Sequence, residues 1–177
     1  QMNTDTMLDS IQSLKQDMSM LDEQLDRFIE LFQRVMAEQA FEEFIKQIEH
    51  MIDSQLNIST ELINEEINFS NLEFSEENQI QNYSELIKNM DKHINLISEF
   101  SKKASNEIDE LLKSNLVAEI PKNMMSTKES LANKNLESSF QGSEEVTMNL
   151  DELLKEVEKI KDMFNQEEVN ELTIEFI

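Results

Sequence analysis

Cysteine and tryptophan are absent, and glycine, proline and tyrosine occur once each. Without cysteine the chain has no disulfide and no thiolate metal site, and its compartment is left open. A single Gly142 and a single Pro121 cannot supply the tight turns and sheet corners of a β-rich chain. Basic residues are scarce as well: 15 Lys and Arg stand against 38 Asp and Glu, for a net charge of −23. Phosphate backbones and anionic membrane faces repel such a surface, which argues against nucleic-acid and membrane-surface binding. No run approaches the roughly 18 apolar residues of a membrane span. The N-terminus also lacks the basic-then-apolar order of a signal peptide. Gln1 ahead of Met2 fits a piece of a longer chain. The setting is read as cytoplasmic, with a fragment of a larger cell-envelope protein as the alternative.

What the chain does have is helical periodicity. Steps of four and three from Met7 pass through Ile11, Leu14, Met18, Leu21, Leu25, Phe28, Phe32 and Val35, all apolar, with mostly polar residues between. A repeat this strict marks a helix with one apolar stripe that lies along other helices. Burying a large apolar side chain is worth roughly 1.5–3 kcal/mol, so the stripe calls for a cover. On that reading, Leu21→Asp or Phe28→Asp buries an unpaired charge at a cost of several kcal/mol.

Helix one is expected over about residues 4–67, with a stutter at Ala37-Glu38-Gln39-Ala40. Asn68–Asn78, rich in Asn and Ser, is the best turn, with Phe69, Leu72 and Phe74 as end caps. Helix two is expected over 75–117 and carries Ile80, Tyr83, Ile87, Met90, Ile94, Ile97, Ser101, Ala104, Ile108 and Leu111. Pro121 breaks or kinks the chain, and helix three follows over 121–138. Gln141-Gly142-Ser143 reads as a connection, and helix four over 143–165 carries Val146, Leu150, Leu153, Val157, Ile160 and Phe164. The fold class is therefore all-α. A long antiparallel, coiled-coil-like helical hairpin takes shorter C-terminal helices into a three- or four-helix bundle, with the last helix expected beside the opening stripe.

Residues 166–177 form a tail in which Leu172, Ile174 and Phe176 alternate with polar residues, a strand period. Val169, Leu172, Ile174 and Phe176 are its candidate contact residues, suited to a sheet edge on a partner. A second candidate is acidic. No Lys or Arg occurs between Gln47 and Ile87, and Glu65, Glu66, Glu73, Glu76 and Glu77 make the first turn a negative pole that steers a basic-surfaced partner.

Catalytic, cofactor and metal sites have no motif. Neither His50 nor His93 has the Glu three residues before it that di-iron bundles use, and both read as surface or seam-edge residues. Adjacent acids such as Glu42-Glu43 and Glu144-Glu145 point about 100° apart on a helix and read as solvated faces. Met18, Met90 and Met148 suit either a pliable surface or core filling, and filling is the simpler reading.

The texture is loosely similar to helical segments of large bacterial cell-envelope proteins and to rod-like subunits of eukaryotic assemblies. The Phe140-Gln141 pair in a helical hairpin with a tail also resembles the chemotaxis phosphatase family, which implies an auxiliary phosphatase. That family needs a carboxylate and a glutamine four residues apart on one helix face. Here Ser139 and Ser143 fill those places, and Gly142 interrupts. The functional expectation is a non-enzymatic scaffold or adaptor that meets protein partners, or copies of itself, through helix–helix contacts. The alternative is an extracytoplasmic sensor bundle with a small ligand between its helices.

Overall fold

Small polar residues decide where three of the helices start. The computed structural model describes the backbone of residues 4–175 and the side chains of residues 12–167. Five helices follow in order: α1 (Thr4–Glu61), α2 (Phe69–Phe100), α3 (Lys102–Leu112), α4 (Asn115–Ala132) and α5 (Leu136–Glu175). Asn68 caps α2, its side chain accepting from the Asn71 backbone N–H. The first turn, residues 62–68, thus lies earlier than the expected turn at Asn68–Asn78, and α2 begins at Phe69 and not at Ser75. Ser101 accepts from Ala104 N–H and separates α2 from α3. Ser114 accepts from Val117 N–H and opens α4. Side-chain oxygens at these positions satisfy donors that a helix start leaves open.

Two expected breaks are absent. Pro121 lies inside α4, and Gly142 lies inside α5. A proline cannot donate to the carbonyl four residues back, here Val117 O. The Tyr83 hydroxyl donates to that carbonyl at 2.8 Å and fills the vacancy. Gly142 is needed for closeness instead. A Cβ there would sit 2.4 Å from Thr127 Oγ1, so α5 approaches α4 nearer than a side chain allows. The real connection is Asn133–Asn135. Lys134 adopts φ 53°, Asn135 N–H reaches Ser130 O at 2.9 Å, and Asn135 Oδ1 accepts from Ser138 N–H. This is a left-handed helix ending with a lysine where glycine is usual.

The chain divides into two units, Gln1–Met36 and Ala37–Ile177. In the first, every described side chain is exposed or half-buried. The second is an up-down-up-down four-helix bundle of the C-terminal part of α1, α2 with α3, α4, and α5. Side-chain contacts give its directions. Gln55 meets Glu76, Glu77 meets Lys128, Asn123 meets Glu145, and Glu42 meets Lys161. Each pair joins helices that run in opposite senses. Among the described residues α5 therefore packs along residues 42–59 of α1, where the expectation set it beside the opening stripe.

The core is one cluster drawn from all of these helices, including Phe41, Phe44, Ile48, Leu86, Met90, Ile108, Ile120, Met124, Leu150 and Phe164. Phe41 packs on Phe164 with ring centroids 5.4 Å apart. A smaller cluster of Ile58, Leu62, Leu72 and Leu131 closes the end at the first turn, with Phe69 against it. Phe74, expected there, is instead exposed. The stripe Val146, Leu150, Leu153, Val157, Ile160 and Phe164 is buried throughout, as its spacing predicts. No helix among the described residues is long and apolar enough to cross a membrane.

Candidate functional site

Helix α1 carries its apolar residues in two phases, and only the second is covered. Past the stutter, Ala37, Ala40, Phe41, Phe44, Ile48 and Met51 are buried in the bundle. Before it, Leu14, Met18, Leu21, Leu25, Phe28, Phe32 and Val35 are all exposed, Leu21 at 66% and Phe28 at 65%. Ile29, Leu31 and Met36 widen the same stripe. Met7 and Ile11 lie outside the described side chains. The expectation that this seam is buried core is thus corrected for residues 14–35. Periodicity specified a helix with a one-sided apolar face but not which element would cover it. Asp at 21 or 28 consequently meets water, and the expected stability cost does not arise within this unit.

Apolar patches larger than a few hundred Å² are rare on monomeric surfaces and mark contact sites. An apolar side chain stands at each 4-3 step from residue 14 to residue 35, while Gln16, Glu23 and Glu30 on the opposite face are polar. This is the geometry of a helix that meets another helix lengthwise.

A second feature lies inside the bundle, close to the first turn. Gln55, Ser59, Glu76, Gln79, Ser139 and Ser143 are buried there. Gln55 Nε2 donates to Glu76 Oε2 at 2.7 Å. Ser143 Oγ lies 3.0 Å from Gln55 O and 3.1 Å from Gln55 Oε1, and Ser59 Oγ donates to Ser143 Oγ at 2.9 Å. Glu76 Oε1 and Gln79 Oε1 have no hydrogen-bond partner. Burial removes water from Glu76 and raises its pKa to about 7, against the smaller lowering effect of the Gln55 hydrogen bond. Beside this layer a polar cleft of about 340 Å³ is lined by Ser54, Asn57, Asn71, Asn78 and Gln79, among others.

The acidic candidates separate. Glu65 and Glu66 stand exposed in the first turn, and Glu73 and Glu77 are half-buried. Glu77 is paired with Lys128, whose pKa this hydrogen bond raises. Glu76 is not a surface acid at all. Of the expected pole, helical phase turns Glu76 inward and α4 supplies a lysine to Glu77, while Glu65, Glu66 and Glu73 keep at least part of their surface in water.

The tail also differs from expectation. α5 continues through Val169, Leu172 and Ile174 to Glu175, so the alternation there is not a strand. An established helix extends at little cost through helix-forming Glu167, Glu168 and Glu171. The side chains of Val169, Leu172 and Ile174, and Phe176 altogether, lie outside the described residues.

His50 is exposed. His93 sits at the seam edge, its ring 5.6 Å from Phe44 and its Nδ1 2.7 Å from Asn89 O. Met90 fills the core, whereas Met18 and Met148 are exposed. Ser139 and Ser143, at the phosphatase-like places, are fully buried. The polar layer was legible only as an anomaly: Gln55, Glu76 and Ser143 occupy positions in phase with apolar stripes. No family model, no curated protein and no solved structure matches this chain.

Proposed function

We propose that the chain is a non-enzymatic helical scaffold or adaptor that binds protein through the stripe from Leu14 to Met36. The supporting observation is the exposure of that stripe, in which every seam position from Leu14 to Val35 is uncovered. Charge supports a protein partner over a nucleic acid, since a surface at −23 repels phosphate. Glu65 and Glu66 bias the first turn toward a basic surface, and the tail from residue 166 offers a further contact.

The test is site-specific photo-crosslinking in cells. A photo-reactive residue at Phe28 is expected to give protein crosslinks, and the same residue at Gln16, on the opposite face, to give far fewer. Equal yields at both positions overturn the stripe as a contact surface.

A sensor bundle is the second reading, and the polar layer supports it. Gln79 Oε1, buried without a hydrogen-bond partner and on a residue that lines the cleft, suits a small ligand that donates a hydrogen bond. Titrating the labelled chain with a panel of sugars, amino acids and nucleosides would then shift the amide signals of Asn78 and Gln79 specifically. Spectra that do not move for any of them count against the sensor.

A further inference from the structure

Resting on the reading of the stripe as a contact surface, we infer that its occupant is a second copy of this chain, aligned antiparallel. In the heptad frame, Ile11, Met18, Leu25 and Phe32 take position a, and Met7, Leu14, Leu21, Phe28 and Val35 take position d. The flanking charges are few: Lys15 and Asp22 at e, and Asp17 at g.

Those charges discriminate between alignments. In a parallel, in-register pair each g residue faces the e residue five positions further along the other copy. Asp17 would then face Asp22 of the second copy, twice per dimer. In an antiparallel pair, e faces e and g faces g. One alignment sets Met18 against Leu21, and it brings Lys15 beside Asp22 of the second copy, again twice. The same alignment sets Asp17 beside Gln24, which carries no charge. Sliding one copy by a heptad either way places Lys15 against Lys15 or Asp22 against Asp22. Only the central alignment makes attractive pairs and no like-charge pair.

Size points the same way. In that alignment Phe28 faces Ile11 and Phe32 faces Met7, so no phenylalanine opposes another across the seam. The paired segment runs from about residue 4 to residue 35, the part of α1 that precedes the bundle. Ten large apolar side chains on the stripe are exposed from Leu14 to Met36. Each would hide on the order of 100 Å², giving on the order of 1,000 Å² per copy. A stable interface needs about 800 Å² from each side.

Three measurements on the full chain test this. Light scattering should give twice the 20.8 kDa chain mass. Asp22→Lys should weaken the dimer roughly tenfold, because two attractive pairs become repulsive. Lys15→Asp should do the same, and combining the two should restore wild-type affinity. In a parallel dimer Asp22→Lys would instead strengthen association by relieving the Asp17–Asp22 repulsion, and that result overturns the alignment. The lack of native cysteine makes orientation directly readable. A mixture of Met18→Cys and Leu21→Cys chains should oxidise to the mixed disulfide, whereas Leu21→Cys alone crosslinking to itself reports the parallel form. A monomer at every concentration overturns self-association. If photo-crosslinks from Phe28 to another protein persist in that case, the scaffold reading survives without it; if they are absent too, both fall.

Discussion

Glu76→Gln is expected to stabilise the chain by about 3 kcal/mol at pH 8 and by almost nothing at pH 4. In the bundle the Glu76 carboxyl keeps its proton up to about pH 7, because burial disfavours the charged form. In the unfolded chain it loses that proton near its ordinary value of 4.5. Between those limits the folded state binds one proton more than the unfolded state, so stability falls as pH rises. The contribution is fully present below about 4.5 and gone above about 7. At roughly 1.4 kcal/mol per pH unit, that interval amounts to about 3 kcal/mol. Glutamine keeps the acceptor that Gln55 Nε2 addresses and never ionises. Urea unfolding of both proteins from pH 4 to pH 8 measures the difference, and it cancels the general self-repulsion of an acidic chain. A wild-type-to-variant gap that stays constant with pH would refute a carboxyl that titrates inside the bundle.

Tyr83→Phe carries the second large effect, a loss of about 1–3 kcal/mol. The Tyr83 hydroxyl is the donor that Val117 O has in place of the missing Pro121 N–H, and a buried carbonyl left without a donor costs about that much. The conservative change keeps the ring and its packing, so the loss reports the hydroxyl. Pro121→Ala should restore most of it, because residue 121 then donates to Val117 O in the ordinary helical way. The expected signature is a double-mutant coupling of about 1–2 kcal/mol between positions 83 and 121, which act on the same Val117 carbonyl. Purely additive changes would mean that the hydroxyl and the proline act independently.

These two sites also show what the sequence could and could not reveal. The all-α class and the C-terminal stripe from Val146 to Phe164 were legible because periodicity and the shortage of glycine and proline are local properties. Pro121 misled because local rules end a helix there; the group that rescues it comes from another helix. Gly142 misled in the same way. Glycine marks a turn by its own preference, but here it marks the space that Thr127 requires. The opening stripe was read as core because a pattern shows that a face is apolar and is silent about who covers it. For the candidate site, periodicity picked out the stripe residues, but as core; the tail side chains named as contacts lie outside the described residues, and Glu76 was assigned to the surface. Its position four residues after Leu72 and seven before Tyr83, both buried, was the signal that it faces inward.

A bundle assembled from repeating apolar stripes has close competitors. Slide one helix by a heptad and leucines still meet isoleucines, at little loss. The layer of Gln55, Ser59, Glu76 and Ser143 removes that freedom. A displaced α5 would set Ser143 against side chains that neither donate nor accept, and it would strand Gln55 Oε1 in an apolar layer. Each stranded group costs about 1–3 kcal/mol, while each bond of the native arrangement gains about 0.5–1.5 kcal/mol. The layer thus acts chiefly by penalising its rivals, as a buried polar residue fixes the register of a coiled coil. Four side chains of modest net worth make one topology out of several.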